Sequence, residues 1–166
     1  MKRQKKKYEK PLRSWDKARI DAEKKLKQDY GLRRKKEIWR AESILRNYRR
    51  LARNLAAAKK DKEKEKILLD KLVKMGLIKP EASLDNVLAL SVENILERRL
   101  QTLVFRKGLA HSAKQARQYI VHGHIALDRR RVRWPSILVP LSEEGKLSFY
   151  EKSKIKLGEK VEAKSS

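Results

Sequence analysis

All three histidines of the chain, His111, His122 and His124, fall in one stretch, HSAKQARQYIVHGHIALDRRRVRWPS, residues 111–136. Two imidazoles one residue apart can begin a metal site. Such a site takes three or four ligands, yet the chain has no cysteine and no carboxylates cluster nearby. Asp128 is the only acidic residue of the stretch. It has no partner group for acid–base work and suits a turn. Neither metal nor catalysis is expected, and no cofactor. What the residue types do offer is anion binding. Ser112 can cap a helix, with Gln115 three positions on as a capping box. The free N–H groups of such a helix start attract anions. Arg98, Arg99, Arg106, Lys107, His111, Lys114, Arg117, His122 and His124 come from two helices and their ends, and could converge on one surface. From 99 to 140 nine Lys and Arg face Asp128 alone. The missing counter-charges are expected on a partner, as phosphates, with salt-sensitive binding. His122 and His124 suit stacking or hydrogen bonding to a nucleic acid, or a structural role in the helix-to-strand turn.

These residues need a scaffold. Ser91 is expected to cap a helix running through SVENILERRLQTLVFRKG and stopping at Gly108. Its apolar face is Val92, Ile95, Leu96, Leu100, Leu103 and Val104. Ala113, Ala116 and Ile120 make the inner face of a shorter helix that ends at Gly123, with Lys114, Arg117 and Gln118 turned outward. Ile125 and Leu127 alternate with Ala126 and Asp128 as in a half-buried strand. A turn at 128–131 leads to Val132 and Trp134, and SILVPL reads as another short strand. Residues 91–150 are thus two helices at an angle and a small antiparallel sheet.

The preceding part reads as helical. The first residues, 1–13, form a basic flexible arm before or around Pro11. One helix starts at Ser14, with Asp16 in its first turn, and stops at Gly31. A second runs from about Lys35 to Lys60. Its stripe of Ile38, Ala41, Leu45, Tyr48, Ala52 and Leu55 is core, and Arg46, Arg49, Arg50 and Arg53 occupy its other faces. A third, about 61–75, carries Leu68, Leu72 and Met75 and stops at Gly76. SLDNVLALS is a helical connector. The expected organisation is an arm (1–13), a basic helical region (14–90), a compact domain (91–150) and a C-terminal tail (151–166), and the resemblance given below makes the two middle parts RNA-binding. The fold class is mainly α with a small antiparallel β-sheet, α+β.

Whole-chain totals narrow the partner. The formal net charge is +24 over 166 residues, which attracts polyanions. Two Phe are too few for the apolar face of a membrane-surface helix. No apolar run follows the basic start, as a secretory signal would require. Absent cysteines fit a reducing compartment, the cytoplasm.

At this point a resemblance becomes specific. LERRL (96–100), RKGLAHSAKQARQ (106–118), VHGHI (121–125) and VRWPS (132–136) resemble the RNA-binding domain of the universal small-subunit ribosomal protein S-four family. Residues 8–55 resemble its archaeal and eukaryotic branch. The resemblance implies a small-subunit ribosomal RNA ligand, a part in early assembly, and neighbouring ribosomal proteins near the messenger entry channel. Carried over by position, Arg99, Arg106, Ser112, Arg117, Gln118, His122 and His124 would face RNA. Reversing the charge of Arg99, Arg106 and Arg117 is expected to abolish binding with the fold retained. Bacterial members often place Asn-Gly in the hairpin turn, which favours a tight two-residue turn. Asp128-Arg129 does not, so a looser turn is expected, with Arg129, Arg130 and Arg131 reaching RNA backbone.

The same domain accompanies pseudouridine synthases and tyrosyl-tRNA synthetases, but residues 1–90 offer no His, no Cys and no glycine-rich phosphate loop. No enzyme and no small-molecule substrate are expected. A free-standing RNA chaperone or ribosome-associated factor is the alternative. Trp15, Trp39 and Trp134 could stack on bases. Trp39 adjoins the helical stripe and suits packing, and Trp134 before Pro135 equally suits a lid on the sheet.

Overall fold

The computed structural model describes residues 6–58 and 62–153. It is mainly helical with one small antiparallel sheet. The chain divides into two compact units. The first is built from residues up to Val73 and from Leu77–Ile95. The second takes Lys74–Gly76 and everything from Leu96 on.

The first unit contains α1 (Lys17–Asp29), α2 (Lys35–Ala58), α3 (Lys62–Lys74), α4 (Leu84–Ala89) and the start of α5 (Val92–Glu97). Asp16, not Ser14, caps α1: its extended backbone lets the carboxylate accept from the Arg19 N–H. A charged cap also complements the helix dipole, which a serine cannot do. Gly31 ends the segment at φ +58, the left-handed geometry that glycine adopts without strain. Ile38, Ala41, Leu45 and Ala52 are buried along α2, while Tyr48 and Leu55 are half-buried. Leu68 and Leu72 are the buried residues of α3. The 59–61 part of the expected helices lies outside the described residues, as do 1–5 of the arm and 154–166 of the tail.

The second unit contains α6 (Leu100–Arg106), α7 (Ala113–His122), β1 (Ile125–Leu127), β2 (Arg130–Arg131), α8 (Leu141–Glu144) and β3 (Leu147–Phe149). Strand order is β2-β1-β3, all antiparallel, with Leu127 opposite Arg130 on one side and Leu147 on the other. Leu100, Leu103, Val104, Ala110, Ala116, Ile120, Ile125, Val132, Val139 and Leu147 form its core. Each fully buried aliphatic there contributes about 1.5–3 kcal/mol.

Four expectations for this unit need correction. The helix over 91–107 is two helices, broken at Arg98 and Arg99. Arg99 is extended and pairs with Leu138 as an isolated bridge. The Leu100 N–H donates to Ile137 O (2.8 Å) and the Val139 N–H to Arg98 O (2.9 Å). Thus residues 137–139 serve to hold that break and not as a strand of the sheet, whose third strand is β3. Ala126 is buried with Ile125; successive strand residues point to opposite faces, so β1 is covered on both. Finally, the hairpin turn is tight: only Asp128 and Arg129 lie between Leu127 and Arg130, at φ 50 and 63. Both are positive, as a two-residue type I′ turn demands.

Candidate nucleic-acid interface

The start of α7 is built as the sequence predicts. Ser112 Oγ accepts from the Gln115 N–H at 3.2 Å. The Gln115 side chain reaches back to the His111 N–H at 2.7 Å, one residue earlier than a standard box. Lys114, Gln118 and His122 follow at i, i+4 and i+8 and are exposed, as are His111 and Ser112. At the hairpin, Arg129 and Arg130 are exposed. Lys114, Arg129 and Arg130 have no ion pair among the described residues, so their charge faces water. Arg133 is exposed as well. The run RRRVR was the signal for it, although only 129–131 were singled out.

Other members of the expected set are turned to the fold. Arg99, expected to face RNA, is only 5% exposed. Reversing its charge would bury a carboxylate, so the expectation of a retained fold fails for that residue. Arg98 donates to Glu144 Oε2 and to Val139 O, both at 2.8 Å. Arg117 is half-buried, 3.4 Å from Oε1 of the fully buried Gln101. Arg131 donates to Gly123 O at 2.9 Å and His122 O at 2.8 Å. Those carbonyls end α7, so this cation sits at the negative pole of the helix. Its guanidinium also lies 5.7 Å from the Tyr150 ring centre. A Cβ on Gly123, itself at φ +77, would lie 2.7 Å from Arg131 Cζ. His124 is half-buried, with Nδ1 2.9 Å from Ser153 Oγ and its ring edge-on to Tyr119.

Arg106 and Lys107 stand between these groups. Arg106 pairs with Glu97 at 2.6 Å, both side chains open to solvent, and Lys107 donates to the Glu144 carbonyl. An exposed ion pair contributes about 0–1 kcal/mol, so Arg106 can exchange its partner for a phosphate at small cost.

In the first unit, Arg46, Arg50 and Arg53 are exposed along one stripe of α2 at i, i+4 and i+7. Arg46 pairs with Glu9 at the surface. Arg49 instead donates to Leu90 O at 2.5 Å and ties α2 to the end of α4. Within the arm, Tyr8 lies 5.9 Å from the Trp39 ring and the Glu9 N–H donates to Ser43 Oγ at 3.2 Å. Sequence reading missed the charge cluster beneath. Glu23 is 3% exposed and accepts from Trp39 Nε1 at 3.0 Å. Arg19 pairs with its Oε1 and Lys35 with its Oε2 at 3.1 Å. Burial opposes the Glu23 charge, but Trp39, Lys35 and Arg19 together outweigh it and hold the carboxyl below its ordinary range. Glu42 goes the other way, raised by burial and by the nearby Glu23 charge. The i,i+4 spacing of Arg19 and Glu23 was the available signal.

Of the three tryptophans, Trp39 packs as expected. Trp134 is 67% exposed and is no lid on the sheet, and Trp15 is 92% exposed. Among the described residues no group of three or more His, Cys, Asp or Glu converges as a metal site would require. No described helix is long and apolar enough to cross a membrane.

Comparison with known proteins covers both units. A family model described as S4 domain matches residues 98–144. One described as ribosomal protein S4/S9 N-terminal domain matches residues 2–97. The protein named small ribosomal subunit protein uS4 from Methanosphaera stadtmanae is 47% identical over 156 residues, 93% of this chain and 86% of the relative. Its namesake from Methanothermobacter thermautotrophicus is 47% identical over 154 residues, 91% of this chain and 90% of the relative. That from Saccharolobus islandicus is 47% identical over 158 residues, 93% and 87% of the two chains.

Proposed function

We propose, because this chain belongs to the small ribosomal subunit protein uS4 family, that it is a structural, non-catalytic component of the cytoplasmic small ribosomal subunit and binds its RNA. The observation that carries this is a coincidence along the chain. The same residues that match the ribosomal family also hold exposed cations with no acidic partner among the described residues: Lys114, Arg129 and Arg130 in one unit. Arg50 and Arg53 add exposed charge in the other.

In this reading Lys114, Arg129, Arg130, Arg50 and Arg53 contact phosphates. His111, Ser112, Gln118 and His122 add hydrogen bonds beside them. Arg98, Arg99, Arg117 and Arg131 act earlier, by fixing the surface that carries the others. Helix faces rich in cations suit RNA shape and backbone better than base edges. Two binding units on one chain raise the affinity of each for the same RNA. The family likeness supports extending this reading to a part in early assembly and a seat beside other ribosomal proteins near the messenger entry channel.

Sedimentation of small subunits through a high-salt wash tests the reading. A structural component stays with the subunit in one-to-one amount. Quantitative release would instead support a free-standing ribosome-associated factor, and uridine modification by the purified chain would overturn the non-catalytic assignment.

A further inference from the structure

Trp15 is held out into water, at 92% exposure, by backbone that is fastened on both sides. Arg19 Nη2 donates to Arg13 O at 2.9 Å and to Ser14 O at 3.0 Å. The same guanidinium is anchored through Nη1 by the buried Glu23. On the other side, Asp16 caps α1. A large ring kept in solvent is unfavourable, and fastening its backbone removes much of the ordering cost of binding through it. The surroundings select the partner. Lys10, Arg13 and Lys17, within five residues of it in the chain, are exposed. The carboxylates nearest in sequence are engaged, Glu9 with Arg46 and Asp16 in the helix cap.

We propose that Trp15 is a stacking platform for an unpaired RNA base, with Lys10, Arg13 and Lys17 on the flanking phosphates. This deepens the ribosomal RNA-binding reading and rests on it. Every base has a π-face, so the platform tolerates any sequence but requires a base outside a duplex.

The test uses the full chain, a labelled single-stranded oligoadenylate and a blunt RNA duplex of equal length, at matched salt. Trp15→Ala weakens single-strand binding roughly tenfold, leaves duplex binding nearly unchanged, and keeps the salt slope, since no charge is lost. Trp15→Phe restores most of the affinity. Equal single-strand binding by wild type and Trp15→Ala overturns the proposal, as does a Phe variant no better than Ala. Should Trp15→Ala lose its helical circular dichroism, Trp15→Leu, bulky but without a π-face, decides by the same comparison. A wild-type chain that binds neither RNA brings down the RNA-binding reading itself. Unchanged RNA affinity with a weakened hold on small subunits assigns Trp15 to a protein surface and also overturns the platform.

Discussion

Glu23 is the residue on which the first unit's polar interior depends. Its carboxyl is held below the ordinary range, so the folded state binds its proton more weakly than the unfolded chain does. The stability this supplies is complete above the ordinary carboxylate range, near pH 4.3, and is lost as pH falls through the depressed folded value. Glu42, raised, contributes the opposite slope: it stabilises at low pH and loses that effect as pH rises through its own value. Glu23→Gln should cost about 1–3 kcal/mol at neutral pH, because Arg19 and Lys35 lose the charge they face in a buried site. It should also flatten the acid limb of stability. Urea melts of a Trp15→Phe, Trp134→Phe background, followed by the fluorescence of the remaining Trp39 between pH 7 and 3, measure both, and an unaltered acid limb would show that Glu23 is not the group responsible.

The hairpin shows how an element can be strained for the sake of its surface. Asp128 and Arg129 both sit at positive φ, where a side chain costs roughly 1–2 kcal/mol per residue. The double substitution Asp128→Asn with Arg129→Gly should raise the second unit's stability by about 1 kcal/mol. Thermal unfolding should then move up by several degrees. The double variant should bind RNA more weakly, having lost one exposed cation. The same hairpin marks what could be read from sequence. Local devices were legible: the Ser112 and Gln115 cap, the glycine stops at Gly31, Gly76 and Gly123, and the Ile38–Ala41–Leu45 stripe. Their causes lie within one or two helical turns. The break at Arg98 and Arg99 was hidden, because its hydrogen-bond partners come from residues 135–139. So was β3, three residues too short for a period to show, held by pairing with β1 and by Leu147 in the core. The tight turn was misjudged because turn preference at 128–129 is weaker than the register between Ala126 and Arg131.

Across the whole molecule, a formal charge of +24 overstates what is available to a ligand. Lys114, Arg129 and Arg130 present theirs to solvent, whereas Arg98, Arg117 and Arg131 are hydrogen-bonded to the fold, Arg131 at its surface. The two groups should separate in a salt titration. Each single Ala substitution at Lys114, Arg129 or Arg130 should lower the slope of log affinity against log salt by about 0.7–0.9 and leave unfolding unchanged. Arg98→Ala or Arg131→Ala should lower the unfolding midpoint first. Filter binding at several salt concentrations beside thermal melts resolves them, and a slope change for Arg98→Ala without destabilisation would contradict the division. The candidate interface was therefore half legible in sequence: which residues are basic is evident, but which of them are spent on carbonyls depends on chain segments far apart.

The extended step at Arg99 also has a meaning for biosynthesis. Its anchors, Pro135, Ile137 and Val139, are translated after it, so a growing chain has nothing to enforce the kink. Until they emerge, no long-range hydrogen bond holds the step at Arg99, so the second unit closes only once 135–139 are free to pair with it. Maturation of this unit is thus timed by the arrival of its own later residues.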